Sequence, residues 1–249
     1  MPQLRRLAIA AEDPAKLAAF YQEVFELERI GDEEEAIFLS DGSFNLALLP
    51  TREGRSRGLS GLGFETTRVE SIKKKLASTA EGDRSLVECD ANIGIEYEMR
   101  DPDGNVIRLC RRAFDVSLRK GSVPIRHIAL YTSDPQRLAG FYCNILDMQE
   151  VERTDRSSIF VSDGYFNLAL LYKRTEEPLG LNHFGFHVRN NDEMRARAEK
   201  AGVPPGARRP ERIPFAEYRV HDPEGNGIDI SQKGWKVQLD QRQSRSPQP

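Results

Sequence analysis

The chain contains two copies of one pattern, and that duplication limits its folds more than any other feature. Leu4-Arg5-Arg6-Leu7-Ala8-Ile9, followed by Asp13-Pro14 and Phe20-Tyr21, returns as Ile125-Arg126-His127-Ile128-Ala129-Leu130, followed by Asp134-Pro135 and Phe141-Tyr142. Ser40-Asp41-Gly42-Ser43-Phe44-Asn45 returns as Ser162-Asp163-Gly164-Tyr165-Phe166-Asn167, and Asp101-Pro102-Asp103-Gly104-Asn105 as Asp222-Pro223-Glu224-Gly225-Asn226. Each copy is long enough to bury its own core. Shared residues point to the fold; differences point to function.

Within each copy the pattern divides again. Residues 4–11 alternate as a strand. Asp13-Pro14 then supplies an N-cap and a first-turn proline. Leu17, Phe20, Tyr21, Val24 and Phe25 recur at helical spacing. Short strands follow near 28–32, 35–40 and 44–50. A second unit has a strand at 59–67, a helix at 69–80, and strands near 86–90, 94–100 and 105–111. The second half repeats this with strands at 125–132, 149–153, 157–162, 166–172, 181–189, 207–211, 215–221 and 226–231, and helices at 135–146 and 191–201. The expected class is α+β: four βαβββ modules paired into two similar domains, each a curved mixed sheet around a cleft with helices outside. The expected division is a domain at 1–113, a linker at 114–124, a domain at 125–235 and a flexible tail at 236–249.

Composition narrows the partners. A net charge of −3 argues against a basic nucleic-acid surface. No apolar run approaches the roughly 20 residues of a membrane span, and the N-terminus has no apolar signal core. Cys89, Cys110 and Cys143 are odd in number and widely spaced, as expected of reduced residues in a cytoplasmic protein. A small-molecule substrate is therefore the expected partner, and open sheet edges leave room for a homo-oligomer.

The fourfold βαβββ pattern, with D-P-[DE]-G-N before the last strand, resembles the vicinal oxygen chelate superfamily, which includes glyoxalases, bleomycin-resistance proteins and extradiol ring-cleavage dioxygenases. The resemblance covers residues 4–232, and four modules in two domains look most like the two-domain extradiol enzymes. It implies metal ligands at His127, His183 and Asp229, which form a two-histidine, one-carboxylate set with open metal positions. The implied metal is Fe(II), with Mn(II) the alternative. The implied reaction is oxidation of a catechol-like, vicinally chelating aromatic by O₂. A sequestering protein of the bleomycin-resistance type, and a metal-dependent isomerase or lyase, are the competing readings.

The residues support this independently but less sharply. Asp229 lies between Ile228 and Ile230 and points opposite to them, and a carboxylate facing a concave sheet needs a partner. Two ordinary buried histidines, with Asp229 paired to an arginine, would satisfy the same pattern. The chain also departs from the family. The usual glutamate is Asp229, and the position of a fourth ligand or proton-handling histidine is Ala169. A tyrosine near the metal is replaced by Arg219, and a further histidine falls near Pro210. Strand parity puts His187 on the face of His183 and Tyr131 on that of His127. His187 is then the candidate acid–base group, or a cleft-edge histidine satisfied by a carbonyl. Arg219 is a candidate substrate-oxyanion donor, or the partner of Glu217 or Asp229. Tyr131 is a candidate site residue, or a wall residue. In the first half the three ligand positions hold Arg6, Gly61 and Arg108, with Glu65, Glu96 and Glu98 nearby. These charges are expected to pair and fill that cleft without a metal.

Overall fold

The computed structural model describes residues 1–33, 35–79, 86–89, 95–111, 123–155, 157–173, 176, 178–211 and 216–238. Most of the expected linker and nearly all of the expected tail lie outside these. The first half runs β1 (Gln3–Ala11), α1 (Pro14–Phe25), β2 (Glu28–Glu33), β3 (Ala36–Ser40), β4 (Asn45–Pro50), β5 (Gly58–Glu65), α2 (Val69–Ala77), β6 (Val87–Glu88), β7 (Tyr97–Arg100) and β8 (Val106–Cys110). The second runs β9 (Ile125–Thr132), α3 (Pro135–Leu146), β10 (Gln149–Arg153), β11 (Ile159–Ser162), β12 (Asn167–Tyr172), β13 (Gly180–His187), α4 (Asn191–Lys200), β14 (Ala207–Arg208), β15 (Tyr218–His221) and β16 (Gly227–Ser231). The expected order of elements is reproduced. The outermost strands β6 and β14 are only two residues long, and short edge strands limit edge-to-edge pairing.

Each half forms one eight-stranded mixed sheet, in the order β2-β3-β4-β1-β5-β8-β7-β6 and β10-β11-β12-β9-β13-β16-β15-β14. The two modules of a half join where their first strands run antiparallel, β1 on β5 and β9 on β13. The four central strands of each sheet are thus the first and last strands of its two modules, and in the second sheet three of them, β9, β13 and β16, carry the candidate ligands.

The helices pack on one face of each sheet, and that face is where the halves meet. A single apolar core takes in Leu17, Phe25, Phe64, Leu138, Phe184 and Phe186 from both halves. Phe25 of α1 stacks on Phe186 of β13, with centroids 3.9 Å apart. Asp13 and Asp134 cap α1 and α3 by accepting from the amides of Lys16 and Arg137.

The repeated turn has a role that spacing did not reveal. Asp222 accepts from the amides of Glu224 and Asn226 and from the Asn226 side chain, and also from the buried Tyr21 hydroxyl of the other half at 2.7 Å. Asp101 does the same around its own turn and takes the Tyr142 hydroxyl at 3.0 Å. Gly225 and Gly104 alone supply the positive φ, each 86°; the asparagines brace the aspartate instead. Asp41 and Asp163 complete the exchange by accepting the amides of Ile125 and Leu4 across the junction, at 2.7 and 2.8 Å. Motifs shared by both halves therefore hold the halves together.

Candidate metal centre

The opposite face of each sheet carries the differences. In the second half His127, Gly185 and Asp229 are lateral neighbours on β9, β13 and β16, and Ala129, His183 and Gly227 form the adjacent row. Large polar side chains thus alternate with Gly and Ala, so the polar groups have room to converge. Phe184, Ile228 and Ile230 point the other way into the core, which fixes the inward aim of their neighbours.

His127, His183 and Asp229 are all buried, and each offers a ligand atom within 4.8 Å of the others'. His183 Nε2 is 3.3 Å from Asp229 Oδ2. Asp229 Oδ1 accepts from Arg219 Nε at 2.6 Å, which leaves Oδ2 facing the histidines. Nδ1 of His127 lies 2.9 Å from Asn167 Oδ1, and Nδ1 of His183 lies 2.7 Å from Asn182 Oδ1. A break in register between Leu181 and His183 lets Asn182, the next residue along the strand, turn its amide toward the ring.

Burial holds His127 down to about 3, with the neighbouring His183 adding to the effect. His183 is also lowered, again chiefly by burial, with Arg219 and Arg209 opposing a second positive charge. Burial alone would raise Asp229, but His183 and Arg219 outweigh it and hold the carboxyl well below its usual range. Burial thus works against a charge on either imidazole, while the partners of Asp229 favour its ionised form. In the tautomer that donates each Nδ1–H to its amide oxygen, both Nε2 atoms keep their lone pairs, and that of His183 then faces a carboxylate oxygen 3.3 Å away, a repulsion that a cation between them relieves. This donor set fits a divalent cation. Ligand bonds of about 2.1 Å at right angles set donors roughly 3.0 Å apart, close to the His183–Asp229 separation.

The remaining candidates take different places. Arg219 is committed to Asp229, one of the two structural partners open to it, although its Nη2 is buried and makes no hydrogen bond. His187 is not in the cluster. It is the last residue of β13, it is exposed, and Nε2 rests 3.2 Å from the Gln232 carbonyl oxygen. It lines a cavity of about 530 Å³ with Pro124, Arg189 and Glu193, whose walls include none of the three candidate ligands. Tyr131 is half-buried on β9, opposite Gly180.

Trp235 is expected from the sequence to cap the sheet or a subunit contact; the structure gives it a partner and adds three groups that sequence reasoning missed. Trp235 stacks on His127, with centroids 4.9 Å apart and planes 3° apart. The Lys236 carbonyl accepts from Asn167 Nδ2 at 2.7 Å, so the chain just after β16 turns back over the cluster rather than leaving as tail. Asn182 stands where the first half has Ser60, a difference that comparison of the halves could have flagged. Asn167 recurs as Asn45 and gave no such signal.

In the first half the same positions carry the reverse charge pattern. Arg108 Nε lies 3.2 Å from Glu98 Oε2. Glu98 pairs with Arg108 in register as Arg219 does with Asp229; acid and base have exchanged strands. Arg111 pairs with Glu96, Arg5 with Glu65, and the buried Arg6 lies over the Phe38 ring. Two cavities of about 10 Å³ lie among Arg6, Gly63, Ile95 and Arg108, each with room for about one water. Of the charges expected to pair in this cleft, Arg108 and Glu98 do so, whereas Glu65 and Glu96 take Arg5 and Arg111.

The family model of the Glyoxalase/Bleomycin resistance protein/Dioxygenase superfamily matches residues 3–109 and again 125–230. The chain belongs to that superfamily. Among solved structures, the Mn(II)-bound glyoxalase from Novosphingobium aromaticivorans superposes with a TM-score of 0.71 at 15% identity, covering 96% of this chain and 86% of that one. The 2,2',3-trihydroxybiphenyl 1,2-dioxygenase of a dibenzofuran-degrading Sphingomonas wittichii gives 0.69 at 15%, covering 97% and 93%. Homoprotocatechuate 2,3-dioxygenase from Brevibacterium fuscum, in complex with 3,4-dihydroxyphenylacetate, gives 0.69 at 18%, covering 94% and 82%. No curated protein matches the sequence. At these identities the likeness establishes the fold. No helix among the described residues is long and apolar enough to cross a membrane.

Proposed function

We propose that this superfamily member is a metal-dependent enzyme of the extradiol-dioxygenase type, acting with O₂ on a small aromatic substrate that presents two vicinal oxygens. The observation that carries the reading is the buried His127–His183–Asp229 set, whose ligand atoms lie within 4.8 Å of one another, with Asp229 Oδ2 turned toward His183 Nε2. Structural neighbours named as dioxygenases, one of them in complex with 3,4-dihydroxyphenylacetate, support it. Fe(II) is the proposed metal and Mn(II) the alternative. When bound, the metal supplies Lewis acidity and open positions for the substrate oxygens and O₂. His127 and His183 are its neutral donors and Asp229 its anionic one. Arg219 fixes the Asp229 rotamer and, with Arg209, adds positive potential that favours an ionised substrate oxygen.

The position of His187 outside the cluster favours a second reading, a protein that binds its ligand through the metal without turning it over. Metal content after anaerobic purification, in wild type beside His183→Ala and Asp229→Ala, tests both. Near-stoichiometric iron or manganese, abolished by either substitution, is the expected result, followed by O₂ uptake with catechols. Metal uptake without O₂ consumption would select the binding protein. No specific uptake, even after reconstitution with Fe(II) and Mn(II), would sink both.

A further inference from the structure

We infer that residues 234–236, which follow the last strand, are a working part of the metal centre: Trp235 and, through Asn167, the Lys236 carbonyl hold His127 in the tautomer and orientation that present Nε2 to a metal.

A carbonyl oxygen can only accept, so the Asn167 atom 2.7 Å from the Lys236 oxygen must be the NH₂. That fixes which way the amide points. Its Oδ1 is then the atom 2.9 Å from His127 Nδ1, and an amide oxygen also only accepts. Nδ1 must carry the proton, and Nε2 of the neutral ring keeps its lone pair. One backbone carbonyl thereby determines the protonation pattern of a ligand two hydrogen bonds away. This kind of support sets ligand orientation and basicity in metal sites generally.

Trp235 fixes the second degree of freedom. Its indole lies parallel to the imidazole, at 3°, and blocks rotation of the ring out of its plane. The strand is shaped to admit it. A Cβ on Gly185, the residue laterally between His127 and Asp229, would lie 2.7 Å from indole Cζ2 and Cη2.

The first half supplies the control. Asn45 stands beside Arg6 in the same register as Asn167 beside His127. With arginine in place of histidine, the buried Asn45 Oδ1 makes no hydrogen bond. The asparagine is common to both halves, but its relay exists only where the histidine and the returning chain are both present.

This inference rests on the metal-site reading, so its test is run first without metal. ¹⁵N-histidine spectra of the metal-free protein should show His127 protonated at Nδ1 and bare at Nε2. Asn167→Leu should shift that ring toward the Nε2–H tautomer and weaken Mn(II) binding about 10- to 100-fold. Asn167→Asp retains an acceptor for Nδ1–H and should restore the tautomer. Asn45→Leu should leave the tautomer and affinity unchanged. Gly185→Ala should push the indole aside, change the emission of Trp235, the chain's one tryptophan, and weaken Mn(II) binding with the Nδ1–H tautomer intact. It also keeps the test decisive if Asn167→Leu does not fold. A wild-type His127 protonated at Nε2 would overturn the inference. So would unchanged tautomer and affinity in Asn167→Leu, or unchanged affinity in a Gly185→Ala protein whose indole has moved. If wild type binds no Mn(II) while the tautomer behaves as described, the metal reading fails and the relay stands.

Discussion

Replacing Arg219 by Met should produce a protein whose stability depends strongly on metal. The Asp229 side chain is 3% exposed, and Arg219, itself 16% exposed, is its one guanidinium partner in the recorded ion pairs. Removing one member of a buried pair costs about 3–5 kcal/mol, because the other charge is left uncompensated. His183 Nε2, 3.3 Å from the free oxygen, can take up a proton and offset part of this, so the low end, about 3 kcal/mol, is expected in EDTA. A divalent metal supplies the missing charge at the same carboxylate. Wild type should gain about 2.7 kcal/mol at a hundredfold excess over Kd. Arg219→Met should gain more, so that the deficit between them falls below about 1 kcal/mol at saturation. The mirrored pair gives the control. Arg108 and Glu98 are 23% and 30% exposed, so Arg108→Met should cost about 1 kcal/mol or less, equally with and without metal. Urea unfolding in EDTA and in Mn(II) reads all of these. An equal deficit in both media would refute the argument that Arg219 and the metal neutralise the same carboxylate, and a deficit under about 1 kcal/mol in EDTA would refute the buried-ion premise.

Acid should weaken the metal-free protein. His127 is held to about 3 when folded, against an ordinary 6.5, so its contribution is complete above pH 6.5 and is lost as the pH falls toward 3; between pH 7 and 5 that single group removes about 2 kcal/mol. The lowered His183 acts in the same sense, whereas the depressed Asp229 contributes above about pH 3.8 and loses its effect only below that. A urea series across pH should show this slope in wild type and a shallower one in His127→Asn; identical slopes would contradict the assignment. Tyr21→Phe and Tyr142→Phe each remove a buried hydroxyl–carboxylate hydrogen bond across the junction of the halves. Each should cost about 1.5–3 kcal/mol, with additive effects in the double variant and unchanged metal affinity. A loss of metal in either would show that the docking face and the cleft face are coupled.

Much of the fold was legible because its determinants are local. Asp-Pro caps, helical spacing in Leu17–Phe25 and period-two alternation in the central strands are read one element at a time, and duplication supplied each assignment twice. The ligand positions were legible for a related reason. A strand sends alternate side chains to opposite faces, so Asp229 between two core isoleucines could face only the cleft. Parity gives a direction but not a distance: His187, four residues beyond His183, stands at the end of β13 beside the Gln232 carbonyl.

The sequence by itself determined the four modules, the inequality of the two halves and the strands that carry His127, His183 and Asp229. Only the tertiary structure decided what those residues meet: Arg219 reaching across from β15 to Asp229, Asn182 turning at a register break, and Trp235 and Lys236 returning over the sheet to His127. The physical reason is separation along the chain. Asn167 and Lys236 are 69 residues apart, and their contact exists only after β12 and β16 are placed in one sheet. Periodicity and composition carry no term for such a contact; packing does.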